Sequence, residues 1–254
     1  MGMRAGTMTD LGYGWLTPLL SYVMAVIGSA LGLRCTVRAL ALTGRARRNW
    51  LLTAATAIGS GIWTMHFVAM LGFGVTGTEI HYDVPLTLVS LLVAVAFVSL
   101  GLFAVGHQGR PRVSGIAAGG LTTGLGVAAM HYLGMLAVRL HGTLSYDALT
   151  VALSVVIAVV AAAAALWAAL TVRGPAAAAG AALVMGGAVS SMHYTGMAAV
   201  RVAVRPATTT LAGVSAMDFI FPLTVGLGSF LFLTAAFVAL SPGTQRPLIG
   251  PELS

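Results

Sequence analysis

Three short segments of the chain repeat one combination of reactive side chains. WTMHFVAM (Trp63–Met70), AAMHYLGM (Ala128–Met135) and SSMHYTGM (Ser190–Met197) share the order Met-His-aromatic-x-small-Met. Their histidines, His66, His131 and His193, are 65 and 62 residues apart, and each follows a glycine by seven residues: Gly59, Gly124 and Gly186. On a helix, each His shares a face with the Met four residues later (His66/Met70, His131/Met135, His193/Met197). The Met before each His (Met65, Met130, Met192) is turned away by about 100° and can reach a neighbouring helix. Six of the twelve methionines fall in these segments. Thioether sulfur with imidazole is a soft donor set that suits copper, Cu(I) above all, whereas zinc prefers thiolate, imidazole and carboxylate. The segments hold no Asp or Glu, which argues against a hard-ion site or a zinc hydrolase. The plain alternative is packing, because Met is a common core filler. One such motif favours packing; three in register favour a shared ligand set.

The elements that must position these histidines follow from composition. The chain has 254 residues, 58% hydrophobic and 7% charged, against roughly 25% charged in a soluble domain. A secreted disulfide scaffold, a disordered chain and an ordinary cytosolic enzyme are thereby excluded. The single Cys35 cannot form an internal disulfide or hold a metal alone. Seven apolar stretches reach the roughly 20 residues a membrane span needs: Trp15–Leu33, Leu51–Phe73, Pro85–Gly106, Ser114–Val138, Ala148–Val172, Ala177–Val200 and Phe219–Leu240. Arginine orients them. Arg34, Arg38, Arg45, Arg47, Arg48, Arg110, Arg112, Arg173 and Arg246 fall on one side; Arg4, Arg139, Arg201 and Arg205 fall on the other. The amino terminus is therefore read as outside. The Arg34–Arg48 cluster is explained by topology, with no nucleic-acid partner. That cluster follows the first apolar run, so the run reads as a retained span and not a cleaved signal peptide.

The repeat extends beyond the Met-His motifs. Ser21, Ser90 and Ser154 each precede an Ala-Val pair by four residues (Ala25-Val26, Ala94-Val95, Ala158-Val159). The fold expected is an all-α membrane protein: three two-helix repeats, each joined by a cytoplasmic turn, plus a closing seventh helix. Residues 1–240 form the membrane domain and 241–254 a short cytoplasmic tail. Each Met-His motif lies near the outer end of an even span, with His66 about 10 Å below the boundary at 1.5 Å per residue. Intramembrane ionisable groups usually face the bundle interior. Gly28/Gly32, Gly115/Gly119 and Gly120/Gly124 allow close helix approach. Asp83, Asp147 and Asp218 read as helix N-caps, with a lid over an outer metal site as the sharper reading. His81 and His141 fall in outer loops, solvated or accepting metal on its way inward. His107 falls in a cytoplasmic turn. The hydroxyls of Tyr132 and Tyr194 are candidates to orient a ligand histidine.

At these octapeptides the chain resembles the MHYT-domain family of bacterial integral membrane sensors, over nearly its whole length. The literal tetrapeptide occurs once, Met192–Thr195; the second copy has Leu133, and the first has Phe67 and Val68. His and both Met are kept in all three. The resemblance implies copper bound through His66, His131, His193 and the flanking methionines, in the plasma membrane. It also implies sensing of a diatomic gas, O2, CO or NO. Many relatives carry a cytoplasmic cyclic-dinucleotide or kinase domain after the last span; this chain ends about 14 residues past Leu240. A stand-alone member signalling through a separate protein is therefore expected. Copper transport or handling, and haem bound by two of the histidines, remain open as alternatives. No acid/base pair or nucleophile accompanies the histidines, so no enzyme is expected. The nine-to-four arginine asymmetry makes a reporter fused after Ser254 active in the cytoplasm only; periplasmic activity there would overturn the orientation.

Overall fold

The computed structural model describes residues 4–10, 14–106, 113–206 and 209–240. His107, Arg110, Arg112, Arg246 and the segment 241–254 lie outside the described residues. Seven helices are long and apolar enough to cross a membrane. They are α1 (Leu16–Leu40), α2 (Gly44–Met70), α3 (Val84–Gly106), α4 (Val113–Leu136), α5 (Ala148–Thr171), α6 (Pro175–Ala198) and α7 (Phe221–Leu240), the last entered through a π-helical turn at Ala216–Ile220. The expected all-α seven-span architecture is the one observed.

The inner ends differ from the expectation. α1 runs past Leu33 through Arg34 and Arg38 to Leu40, and α2 begins before Arg45, Arg47 and Arg48. Arginine is a good helix former and keeps its charge in the interface while its stem covers apolar surface, so these helices outrun their hydrophobic stretches. Tight turns close the first and third hairpins, with Gly44 at φ 58° and Gly174 at φ 86°. A side chain is disfavoured at both positions.

The outer ends differ more. Short strands occupy the connections there: β1 (Arg4–Ala5), β2 (Met8–Asp10), β3 (Phe73–Val75), β4 (His81–Tyr82), β5 (Val138–Arg139), β6 (Gly142–Tyr146), β7 (Val200–Val204) and β8 (Val214–Ser215). They form antiparallel groups in the orders β1-β7-β6, β2-β3 and β5-β4-β8. The even helices accordingly stop at Met70, Leu136 and Ala198, earlier than hydropathy alone suggests. Strands of two to five residues carry too little alternation to be seen in sequence. They form because three connections and the amino-terminal segment meet at one face and satisfy each other's backbone groups. Arg4 opposite Val204 and Met8 opposite Val75 place the amino-terminal strands on the face where α2, α4 and α6 end.

The glycines set the helix ring. A Cβ on Gly59 would lie 2.9 Å from Val95 Cα; one on Gly124 would strike the Val159 backbone; one on Gly186 would lie 2.6 Å from Val26 Cγ2. α2 thus packs on α3, α4 on α5, and α6 returns to α1, closing a pseudo-threefold ring. The even helices also touch one another, and α7 packs against α1 and α2. Ala25, Ala94 and Ala158, beside those valines, are buried to 3% exposure or less. Overpacking such a contact costs about 1–3 kcal/mol. Gly124→Leu should therefore lower the melting temperature of the purified protein, whereas Gly180→Leu, with nothing within 4 Å of its would-be Cβ, should leave it unchanged.

Candidate metal centre

The ring brings the three histidines to one point. Each lies four or five residues inside the outer end of α2, α4 or α6, about 6–8 Å at 1.5 Å per residue. The layer is shallower than sequence suggests because the strands end the helices early. His66 and His131 are fully buried and His193 is 2% exposed. Their Nδ1 atoms form a nearly equilateral triangle: 2.9 Å between His66 and His193, 3.2 Å between His131 and His66, 3.3 Å between His193 and His131. The rings meet edge to face, at interplanar angles of 76–85°. The point equidistant from the three nitrogens lies about 1.8 Å from each, slightly inside the ~2.0–2.1 Å of a zinc–imidazole bond.

Hydrogen bonding among the histidines cannot satisfy this arrangement. In a neutral imidazole each nitrogen either donates or accepts. Three nitrogens pairing mutually need a donor and an acceptor in every pair, and a triangle of two kinds always contains one like pair. Either two lone pairs or two N–H groups must face each other in a dry site. A cation at the centre removes the conflict, because all three Nδ1 then present lone pairs and all three protons move to Nε2. The buried His triad is thus suited to bind a metal. Nε2 of His66 and of His131 have no hydrogen-bond partner and lie against backbone: a Cβ on Gly134 would sit 2.5 Å from the first, and one on Gly196 would strike the second. Gly134 and Gly196, three residues after His131 and His193, therefore give clearance to the ring of the preceding repeat.

Each imidazole is also clamped from behind. The aromatic residue after it, Phe67, Tyr132 or Tyr194, meets it edge to face at centroid distances of 4.6, 4.8 and 4.9 Å. Ser154 donates to Val151 O, so Tyr132 donates to Ser154 Oγ, at 2.6 Å. Ser21 donates to Pro18 O and likewise meets the Tyr194 hydroxyl at 3.4 Å. Phe67 has no hydroxyl; there the indole of Trp63 donates to Ser90 Oγ at 3.0 Å and stacks on Phe67 at 4.5 Å. Ser21, Ser90 and Ser154 are all fully buried. The role of Trp63 is invisible in the motif pattern; the equivalent spacing of Ser90 with Ser21 and Ser154 is the one sequence signal that could have pointed to it.

The motif methionines pack in the core beside Phe67. Met65, Met70, Met130, Met135 and Met192 belong to one buried apolar cluster with Phe67, and half-buried Met197 packs against it. Cys35 lies in a second cluster with Leu51 and Leu231. Asp83 caps α3 through Leu86 N at 3.1 Å and pairs with Arg139 at 2.7 Å; the Arg139 guanidinium holds its carboxyl below the usual range. Asp147 caps α5 through Thr150, whose hydroxyl and amide lower its pKa in the same way. Asp218 is not a cap: Ser215 caps that turn and donates to the Asp218 carboxylate.

Fold and site together define a multi-pass membrane protein with a metal-suited histidine triad near the ends of α2, α4 and α6 in a three-repeat ring. A sequence profile described as a bacterial signalling protein N-terminal repeat, MHYT, matches residues 59–118 and again residues 124–182. The matches begin at Gly59 and Gly124, the positions where each even helix touches the next odd one. The chain belongs to the MHYT family of bacterial signalling proteins, in the inner membrane. It is 42% identical over 192 residues to the bifunctional diguanylate cyclase/cyclic di-GMP phosphodiesterase MucR of Pseudomonas aeruginosa, covering 74% of this chain and 28% of that protein. It is 42% identical over 172 residues to the cyclic di-GMP phosphodiesterase NbdA of the same organism (65% and 21% covered). Against the signaling protein YkoW of Bacillus subtilis it is 28% identical over 192 residues (71% and 23%). The chain thus spans about a quarter of the length of these relatives. No solved structure matches it.

If the serine contacts hold the aromatic clamps, Ser154→Ala leaves the half-buried Tyr132 hydroxyl without its acceptor, a loss of about 1 kcal/mol. A lower melting temperature is expected for Ser154→Ala, and a smaller loss for Tyr132→Phe, which leaves no donor unpaired.

Proposed function

We propose that the chain is a copper-binding membrane sensor that detects a diatomic gas and signals through a separate protein. The observation that supports it most is the Nδ1 triangle, whose geometry three neutral imidazoles cannot satisfy among themselves. Nδ1 of His66, His131 and His193 are the main ligands, and Met65, Met70, Met130, Met135, Met192 and Met197 provide soft donors and a dry surround. Cu(I) bound there supplies a soft ion with a coordination position open to O2, CO or NO. The residues do the rest. Gly134 and Gly196 make the space that the His66 and His131 rings occupy, and the aromatic clamps couple each ring to an odd helix through Ser21, Ser90 or Ser154. A rotation of one imidazole displaces its clamp and biases the packing of α1, α3 or α5, which a partner in the membrane or at its inner face can read. The three rings stand 4.9–5.2 Å apart, too close for a haem between any two of them. Transport is less favoured, because the α1, α3 and α5 serines are occupied by their own helix carbonyls and the clamps.

Anaerobic titration of the purified protein with Cu(I) should give one ion per chain. His131→Ala should weaken binding by at least about tenfold, one lost ligand being worth 1.4 kcal/mol or more. The triple change Met70→Leu, Met135→Leu, Met197→Leu should weaken it less, with the fold retained, since such apolar swaps usually cost under about 1.5 kcal/mol each. Carbon monoxide added to the Cu(I) form should give an infrared C–O band that His131→Ala shifts or abolishes. A wild-type protein that takes up no copper under reducing conditions overturns the reading.

A further inference from the structure

Two clefts on the outer face repeat one order of side chains. The first, about 400 Å3, is lined by Met70, Glu79, His81, Tyr82 and Met217. The second, about 460 Å3, is lined by Met135 and His141 among others. Met70 and Met135 are the residues one turn outward of His66 and His131 on the same helix face, and they are 1% and 0% exposed. Each cleft is therefore lined by an imidazole and by the thioether that stands one turn outward of a triad histidine on the same helix. The first also holds polar atoms without partners: His81 Nδ1 and the hydroxyl of fully buried Tyr82. His81 Nε2 lies 3.6 Å from a Glu79 carboxylate oxygen. Nδ1, which has no hydrogen-bond partner, is the ring nitrogen left for a further ligand.

We propose that the first cleft is an outer acquisition site for a soft monovalent cation, held by His81 Nδ1 with the thioethers of Met217 and Met70 and passed over Met70 to His66. The proposal rests on the metal reading of the triad and adds the route by which the ion arrives. Glu79, 85% exposed at its side chain, raises the local cation concentration at the mouth. Met70 lines the cleft and shares a helix face with His66, so one donor can be gained before another is released. No bare ion then crosses the apolar cluster, where an uncompensated charge is costly.

The test is the rate of loading. Apo protein in detergent is mixed anaerobically with Cu(I) held by bicinchoninate, and loss of the coloured complex is followed in time. The double variant His81→Gln, Met217→Leu should load about 10–100-fold more slowly, the usual scale for losing a supporting ligand, and reach the same final stoichiometry and affinity. Both positions are partly exposed, at 21% for the His81 side chain and 55% for Met217, and an unchanged melting temperature checks the fold. Loading as fast as wild type overturns the acquisition site and leaves the triad reading intact. Slow loading in His81→Gln alone would support the imidazole as the first ligand. Wild-type protein that never takes up Cu(I) overturns the triad reading and this route with it.

Discussion

Three imidazole nitrogens held within about 3 Å of one another in a dry site can donate or accept but not both, and much of the structure serves to keep them there. Without the surrounding ring nothing would hold the three histidines against one another. The close glycine contacts of α2 on α3, α4 on α5 and α6 on α1 supply that hold. They draw the even helices inward until their outer ends meet on the axis. The aromatic clamps then fix the ring planes, and the buried serines fix the clamps.

The three repeats solve the same problem with different residues. Tyr132 and Tyr194 use their own hydroxyls, while the first repeat substitutes Trp63, whose indole reaches Ser90 and whose ring supports Phe67. What is shared is therefore a buried serine accepting from an aromatic donor on the neighbouring even helix. A centre built this way has three mechanical outlets, one to each odd helix, which suits a protein whose relatives carry signalling functions.

The outer strands add a second constraint. They join all three connections and the amino-terminal segment at one face, so the layer above the triad is a joined surface instead of independent loops. Asp83 and Asp147 serve this layer by capping helices, and the Asp83–Arg139 pair ties the start of α3 to β5. The clefts with His81 and His141 are gaps in the same layer. They lie over the methionines that stand one turn beyond the triad.

Spans, repeat and candidate ligands were legible from the amino-acid order, because each rests on a local property. Apolar length reports membrane crossing, and identical spacing in three copies reports equivalent depth. Sequence carries such one-dimensional periodicities directly. That the histidines face the bundle interior was expected from the cost of an ionisable group in lipid, but the geometry in which they meet was not legible. A helix face is known only relative to its own axis, and how the inward faces meet depends on how α6 packs on α1, a contact between residues 160 positions apart (Val26 and Gly186). The short strands were equally hidden, since two to five residues bear no pattern until their partners are adjacent. The triangle of nitrogens, the unpaired Nε2 atoms and the exchange of tyrosine for tryptophan at the first clamp are three-body or cross-helix relations, and only tertiary packing decides those.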